Sequence, residues 1–229
     1  MNAPYPGYGG ESYYGRPAVK PSVYGWKVAL YTFLGGLAGA VQMIVSLADL
    51  ANERRHRDLV KQGRVIAAAN GVLIGPALLI ADLHTPQRWY NMLRIFRRTS
   101  PMSIGSYVLT AFGAFSAASL TPLKSLFQIP AAIAGAGMAS YTPALLAATA
   151  TPLWSAAPRA LGAEFSTGAF ASGAAALILC SSERWLERTA CAATLAYGAA
   201  AYVASREHAK KRVDRPLKEG RSATMHKAG

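Results

Sequence analysis

Six stretches of this chain, residues 28–50, 65–81, 104–122, 129–153, 165–180 and 189–204, are apolar all round, and Asp49 is the one charged residue inside them. None shows the polar face at helical period that a helix on a soluble core needs. None alternates as a barrel strand would. A bilayer core about 30 Å thick asks for about 20 apolar residues in a helix. Four stretches meet that comfortably, while the last two are shorter and rich in Ala and Gly. The pattern predicts an all-α integral membrane protein, a bundle of about six transmembrane helices. They fall at about residues 24–50, 64–83, 103–121, 127–150, 164–181 and 186–205. The polar segment from Asn52 to Arg64 then reads as a loop.

The connector between the second and third helices is of another kind. Residues 82–107, "DLHTPQRWYNMLRIFRRTSPMSIGSY", hold four arginines, the pair Trp89-Tyr90 and two prolines. Thr85-Pro86 and Ser100-Pro101 both read as a helix cap followed by proline at the first helical position. On a helical wheel over 86–98, Trp89, Met92, Leu93 and Phe96 share one face, and Arg88, Asn91, Arg94 and Arg98 the other. This predicts an amphipathic helix lying in the membrane interface between helices two and three.

Small and broken positions shape the bundle further. Gly35 and Gly39, four apart, let a neighbouring helix come close, as do Gly168, Ser172 and Gly173. Gly75-Pro76 and Pro143 each remove a helical hydrogen bond within an apolar run, which something in the protein must compensate. Tyr24, Trp26 and Lys27 read as an interfacial anchor.

The net charge of +13 is distributed by side. With six helices, sixteen Lys and Arg fall with the two termini and eight on the opposite side. The positive-inside rule then puts both termini in the cytoplasm of a bacterial inner membrane, and nucleic acid is not the partner that this placement suggests. Residues 1–22 read as a flexible Tyr/Gly/Pro-rich arm without the apolar core of a signal peptide, 23–205 as the membrane domain, and 206–229 as a basic tail near anionic lipid. Cys180 and Cys191 lack metal-ligand spacing and read as small packing residues.

At Asp82-Leu83, Pro86, Arg88, Met92-Leu93-Arg94, Ser100-Pro101-Met102-Ser103 and Gly105-Ser106, and again at Tyr141-Thr142 and Leu145-Leu146, the chain resembles the NrfD/polysulfide-reductase family of integral membrane subunits. The likeness runs from about residue 12 to 205. His84 and Thr85 stand where the family has Gly and Arg, Pro143 where it has Gly, and many members have eight helices. The resemblance implies a membrane subunit of a multi-subunit oxidoreductase that exchanges electrons between quinol or quinone and an iron–sulfur, ferredoxin-like partner. A catalytic molybdopterin or cytochrome subunit completes such a complex.

A quinone site, for menaquinone or ubiquinone, needs hydrogen-bond partners for two oxygens, an apolar slot and a proton route. The candidates are Gln42, Asn70, Tyr141 and Thr142 for the head group and Asp49 as proton acceptor, since ionisable groups within the membrane are functional candidates. Tyr141 leads, because it stands in the later motif beside the helix break at Pro143. Haem ligation by paired histidines is not expected, with His56, His84, His208 and His226 in predicted loops or tail. Two separated cysteines do not hold an iron–sulfur cluster. Two other functions compete: a purely structural anchor for a soluble oxidoreductase, and a small transporter, for which no inverted repeat is visible.

Overall fold

The computed structural model describes residues 24–52, 55–83, 85–148 and 151–214. The predicted arm and most of the predicted tail lie outside them. All the regular structure among these residues is helical. Helix α1 (Trp26–Asn52) is followed by α2 (Arg57–Ala69), a π-helical turn (Asn70–Ile74) and α3 (Gly75–Ala81), which form one continuous rod. After the connector come α5 (Pro101–Ala118), α6 (Lys124–Ala147), the short α7 (Pro152–Ala156), α8 (Pro158–Ile178) and α9 (Arg184–Lys210), with α4 (Asn91–Arg94) inside the connector itself.

The surface and the interior are arranged as a bilayer demands. Large apolar side chains such as Trp26, Phe33, Leu73, Ile133 and Leu195 are exposed, while Gln42, Ser46, Asn70, Ser116 and Thr142 are buried. In water so extensive an apolar surface would mark an interaction face; against lipid it is the solvated side. The rods Trp26–Ala51, Arg57–Ala81 and Lys124–Ala147 are long and apolar enough to cross a membrane by length and composition. Helix α9 is less apolar because charged residues occupy both its ends.

Helix α1 is the axis of the bundle and packs against α2, α3, α6 and α8. The predicted close approach at Gly39 is real. A Cβ there would strike the carbonyl oxygen of Gly135 on α6, and one on Gly135 would lie 2.7 Å from the carbonyl oxygen of Gly39. Gly173 does the same for α8 against α1, at Ala40 and Val41.

Three expectations need correction. The segment predicted as a polar loop is helical from Arg57, because Leu59, Val60, Gly63 and Arg64 make a buried face. The connector is not one helix over 86–98. It folds as a 3₁₀ turn, Pro86–Arg88, and the single turn Asn91–Arg94, then runs extended at Ile95. The cause lies in α5: Tyr107 donates its hydroxyl to the Leu93 carbonyl at 2.8 Å, and Ser103 Oγ accepts from Arg97 N at 3.0 Å while donating to the Ile95 carbonyl at 3.3 Å. These bonds take backbone groups that a continuous helix would keep. Ser100 does cap α5 as expected, accepting from Ser103 N at 3.4 Å, whereas Thr85 makes no side-chain cap bond. Last, α9 runs through the expected domain boundary to Lys210, so Arg206 to Lys210 are helix and not tail.

Proline 76 explains the π turn. Lacking an N–H, it cannot bond the carbonyl four residues back, and its ring crowds that carbonyl. The helix widens instead, and Gly75 N–H reaches the carbonyl of Asn70, five residues away.

Candidate functional site

Tyr141 and Thr142 are neighbours on α6 and point to different places. Tyr141 is buried in the cluster of Tyr31, Met138, Leu145, Leu109 and Phe112. Its ring covers Gly105, where an added Cβ would overlap Tyr141 Cζ and the hydroxyl. The Tyr31 hydroxyl lies beside it without meeting hydrogen-bond geometry. The two sequence motifs, one at the start of α5 and one in α6, are thus pressed together in the core.

Thr142 faces a cleft of about 650 Å³ between α1, α6 and α8. Its walls are mainly apolar, with Val28, Gly36, Leu146 and Phe165 among them, and exposed Phe33 and Tyr197 stand at its lip. Tyr24, Thr32, Thr142, Trp154, Glu164 and Ser172 are the lining residues that carry polar groups, and of these Thr32 and Ser172 donate to carbonyls of their own helices, Ala29 at 2.8 Å and Ala169 at 3.1 Å. Tyr24 also donates to the Leu145 carbonyl at 3.4 Å and stacks on Trp154 at 6.3 Å between centroids. Burial pushes the Tyr24 phenol above its ordinary value, which keeps it a protonated donor. An apolar slot with a few convergent polar groups is what a ligand with a polar head and an apolar body requires.

The other candidates lie elsewhere. Gln42 sits where α1 crosses Gly135, its Nε2 donating to Ser46 Oγ at 3.0 Å. Seven residues of α6 separate Gly135 from Thr142, about 10 Å along the bundle. Asn70 begins the π turn and is 4% exposed. Neither its Oδ1 nor Gln42 Oε1 has a protein partner among the described residues. Asp49 is further still: it pairs with Arg64 at 2.7 Å, and Arg64 also donates to Gln128 Oε1 at 3.3 Å. Gln128 is fourteen residues from Thr142 on α6, about 21 Å. The five sequence candidates therefore do not form one site. Tyr141 and Thr142 stand towards one end, Gln42 and Asn70 in the middle, Asp49 at the other end.

Two side chains stand elsewhere than the sequence reading put them. Glu164, expected at the very start of its helix, stands in the second turn of α8, and Ala157-Pro158 was the signal, since proline at the first helical position starts α8 there. Arg64 was placed in a loop, yet antiparallel pairing of α1 and α2 sets it opposite Asp49.

The histidines and cysteines also differ from expectation. His208 is in the last turn of α9 and buried, against the tail position predicted for it. His56 contacts Glu183, which also accepts from Trp185 Nε1 at 2.5 Å. His84 and His226 lie outside the described residues. Cys180 and Cys191 are free and exposed, so they do not serve as buried packing residues. Among the described residues no group of three or more His, Cys, Asp or Glu could hold a metal ion.

The family model described as polysulphide reductase, NrfD, matches residues 17–190. The match takes in α1 to α8, both motifs and the whole cleft except Tyr197. No curated protein matches the chain.

Proposed function

Because the chain belongs to the NrfD polysulphide reductase family, whose members are membrane subunits of oxidoreductase complexes, we propose that it binds quinol or quinone in the cleft beside Thr142 and exchanges electrons with an iron–sulfur partner. The observation that carries this reading is the cleft itself: an apolar slot in a membrane bundle, with Thr142, Tyr24 and Glu164 among the residues that line it. All six long rods cross the bilayer in this reading. Their lengths of 18 to 27 residues correspond to about 27 to 40 Å. The termini and the connector face the cytoplasm, where their positive charge meets anionic lipid.

Quinol, menaquinol or ubiquinol, supplies two electrons and two protons when bound. The residues of this chain do the rest of the work. Thr142 and Tyr24 hydrogen-bond the head-group oxygens, and the walls exclude water. Glu164, in the first two turns of α8, takes the first proton at its carboxylate and, after passing it to water at that end of the bundle, takes the second. Tyr141 positions Thr142 from behind by locking α6 to α5. Asp49 and Gln42, named as proton acceptor and ligand on sequence grounds, are too distant from Thr142 to share its head group. Their part is to hold α1 against α2 and α6. Electrons pass to the iron–sulfur subunit and from there to a molybdopterin or cytochrome subunit.

Trp154 provides the test, since it lines the cleft and a bound quinone quenches indole fluorescence. Titrating a short-chain quinone into the detergent-purified chain should give saturable quenching that Trp154→Phe largely removes. Thr142→Val should weaken the affinity by about three- to tenfold, the loss of one hydrogen bond. Absence of saturable quenching would leave the structural anchor as the function.

A further inference from the structure

A second groove, of about 490 Å³, lies on the opposite flank, between the π turn with α3, helix α5 and the connector. Only Ser106 and Thr110 bring hydroxyls to it, and both are already spent on their own helix, donating to the carbonyls of Met102 at 3.0 Å and Ser106 at 2.8 Å. The groove has apolar walls, and the one further side-chain donor among its lining residues is the Trp89 indole N–H at its mouth. It suits an alkyl chain and not a quinone ring.

Its dimensions match one leaflet. The α5 side runs from Ser106 to Ala117, eleven residues or about 16 Å, against a half-bilayer of about 15 Å. At the mouth stand Trp89, Met92 and Leu93, and Trp89 is 44% exposed, an aromatic at the level where head groups begin. Arg88 precedes Trp89 and Arg94 follows Leu93. Both are exposed, as are Arg97 and Arg98, and their guanidinium groups form no ion pair among the described residues. Asp82 is the one acid between residues 81 and 100. Unpaired guanidinium groups recognise phosphate bidentately.

We propose that this groove is a site for an anionic phospholipid, one acyl chain lying along α5 and the phosphate held by Arg88 and Arg94. The broken connector makes it possible: the turns at Pro86 and Asn91 set Trp89 and Leu93 on the groove, with Arg88 and Arg94 exposed next to them in the chain. The site is independent of the quinone cleft and stands whether or not that cleft binds quinone.

The test is lipid retention. The full chain is exchanged into detergent supplemented with equal amounts of phosphatidylglycerol and phosphatidylethanolamine, and the lipid that survives is identified by native mass spectrometry. The wild type should retain phosphatidylglycerol with a preference on the order of tenfold, from two arginines at the surface. Arg88→Gln/Arg94→Gln should bring the preference to about one, and Ala114→Phe, which fills the groove from an exposed position, should lose the retained lipid of either kind while melting at the wild-type temperature. Retention in the proportions supplied, an unchanged preference in the arginine variant, or undiminished lipid in Ala114→Phe would each overturn the proposal.

Discussion

The ring of Tyr141 occupies the space that a side chain at Gly105 would need. Here the motif that begins α5 and the motif around Pro143, through which α6 continues as helix, meet, so the connector, which bonds to α5 through Ser103 and Tyr107, is fixed to the wall that carries Thr142. Gly105→Ala should therefore destabilise the bundle by about 1–3 kcal/mol, the usual cost of overpacking. Tyr141→Phe should not relieve it, because Cζ remains in the way, whereas Tyr141→Leu should recover part of the loss. Thermal midpoints of the single and double variants in one detergent measure this.

The ion pair of Asp49 and Arg64 is almost wholly buried, its side chains 7% and 5% exposed. Removing one partner leaves an uncompensated buried charge, so Arg64→Met alone should cost about 3–5 kcal/mol. Replacing both, as Asp49→Leu/Arg64→Met, should be close to neutral by the same physics. Size-exclusion profiles of the three proteins after mild heating distinguish the cases. A double variant as unstable as the single one would show that the pair has a role beyond charge compensation.

Acid should loosen the clamp between the α1–α2 loop and the α8–α9 loop. Burial raises the Glu183 carboxyl, but hydrogen bonds from His56 and Trp185 and the charges of His56 and Arg55 outweigh it and hold the carboxyl below its ordinary value of 4.5. A carboxylate whose folded value is depressed contributes its stability above the unfolded value and loses it as pH falls through the folded one. Once corrected for the intrinsic, base-catalysed rate, hydrogen exchange at Trp185 and Leu186 should thus be constant above about pH 5 and accelerate below the ordinary glutamate range. In Glu183→Gln the acceleration should vanish.

Much of the bundle was legible because lipid imposes a simple rule: long charge-free runs must be helices. The ends of α1 to within two residues, the Ser100 cap and the approach at Gly39 followed from local chemistry alone, while α6 begins and ends three residues earlier than expected. What was not legible came from contacts between distant residues. The pattern over 86–98 fits a helix, but Ser103 and Tyr107 take the backbone groups that would have continued it. Arg57 to Arg64 looked like a loop because its charges mask a buried face of Leu59, Val60 and Gly63. The candidate site divided in the same way: Tyr141 and Thr142 look equivalent in sequence, yet a 100° step around α6 sends one to Gly105 and the other to the cleft. Glu164 stands in the second turn of α8 and not at its start, because Pro158 begins the helix six residues earlier than expected.

The central claim is that the cleft beside Thr142, and not the polar positions in mid-bundle, receives the quinone. Photolabelling with an azidoquinone followed by peptide mapping tests it most directly. The account predicts labels on the cleft walls, around Trp154 and Phe165, that excess unlabelled quinone suppresses. Labels confined to the neighbourhood of Gln42 and Asn70, or labelling that competitor does not reduce, would contradict it.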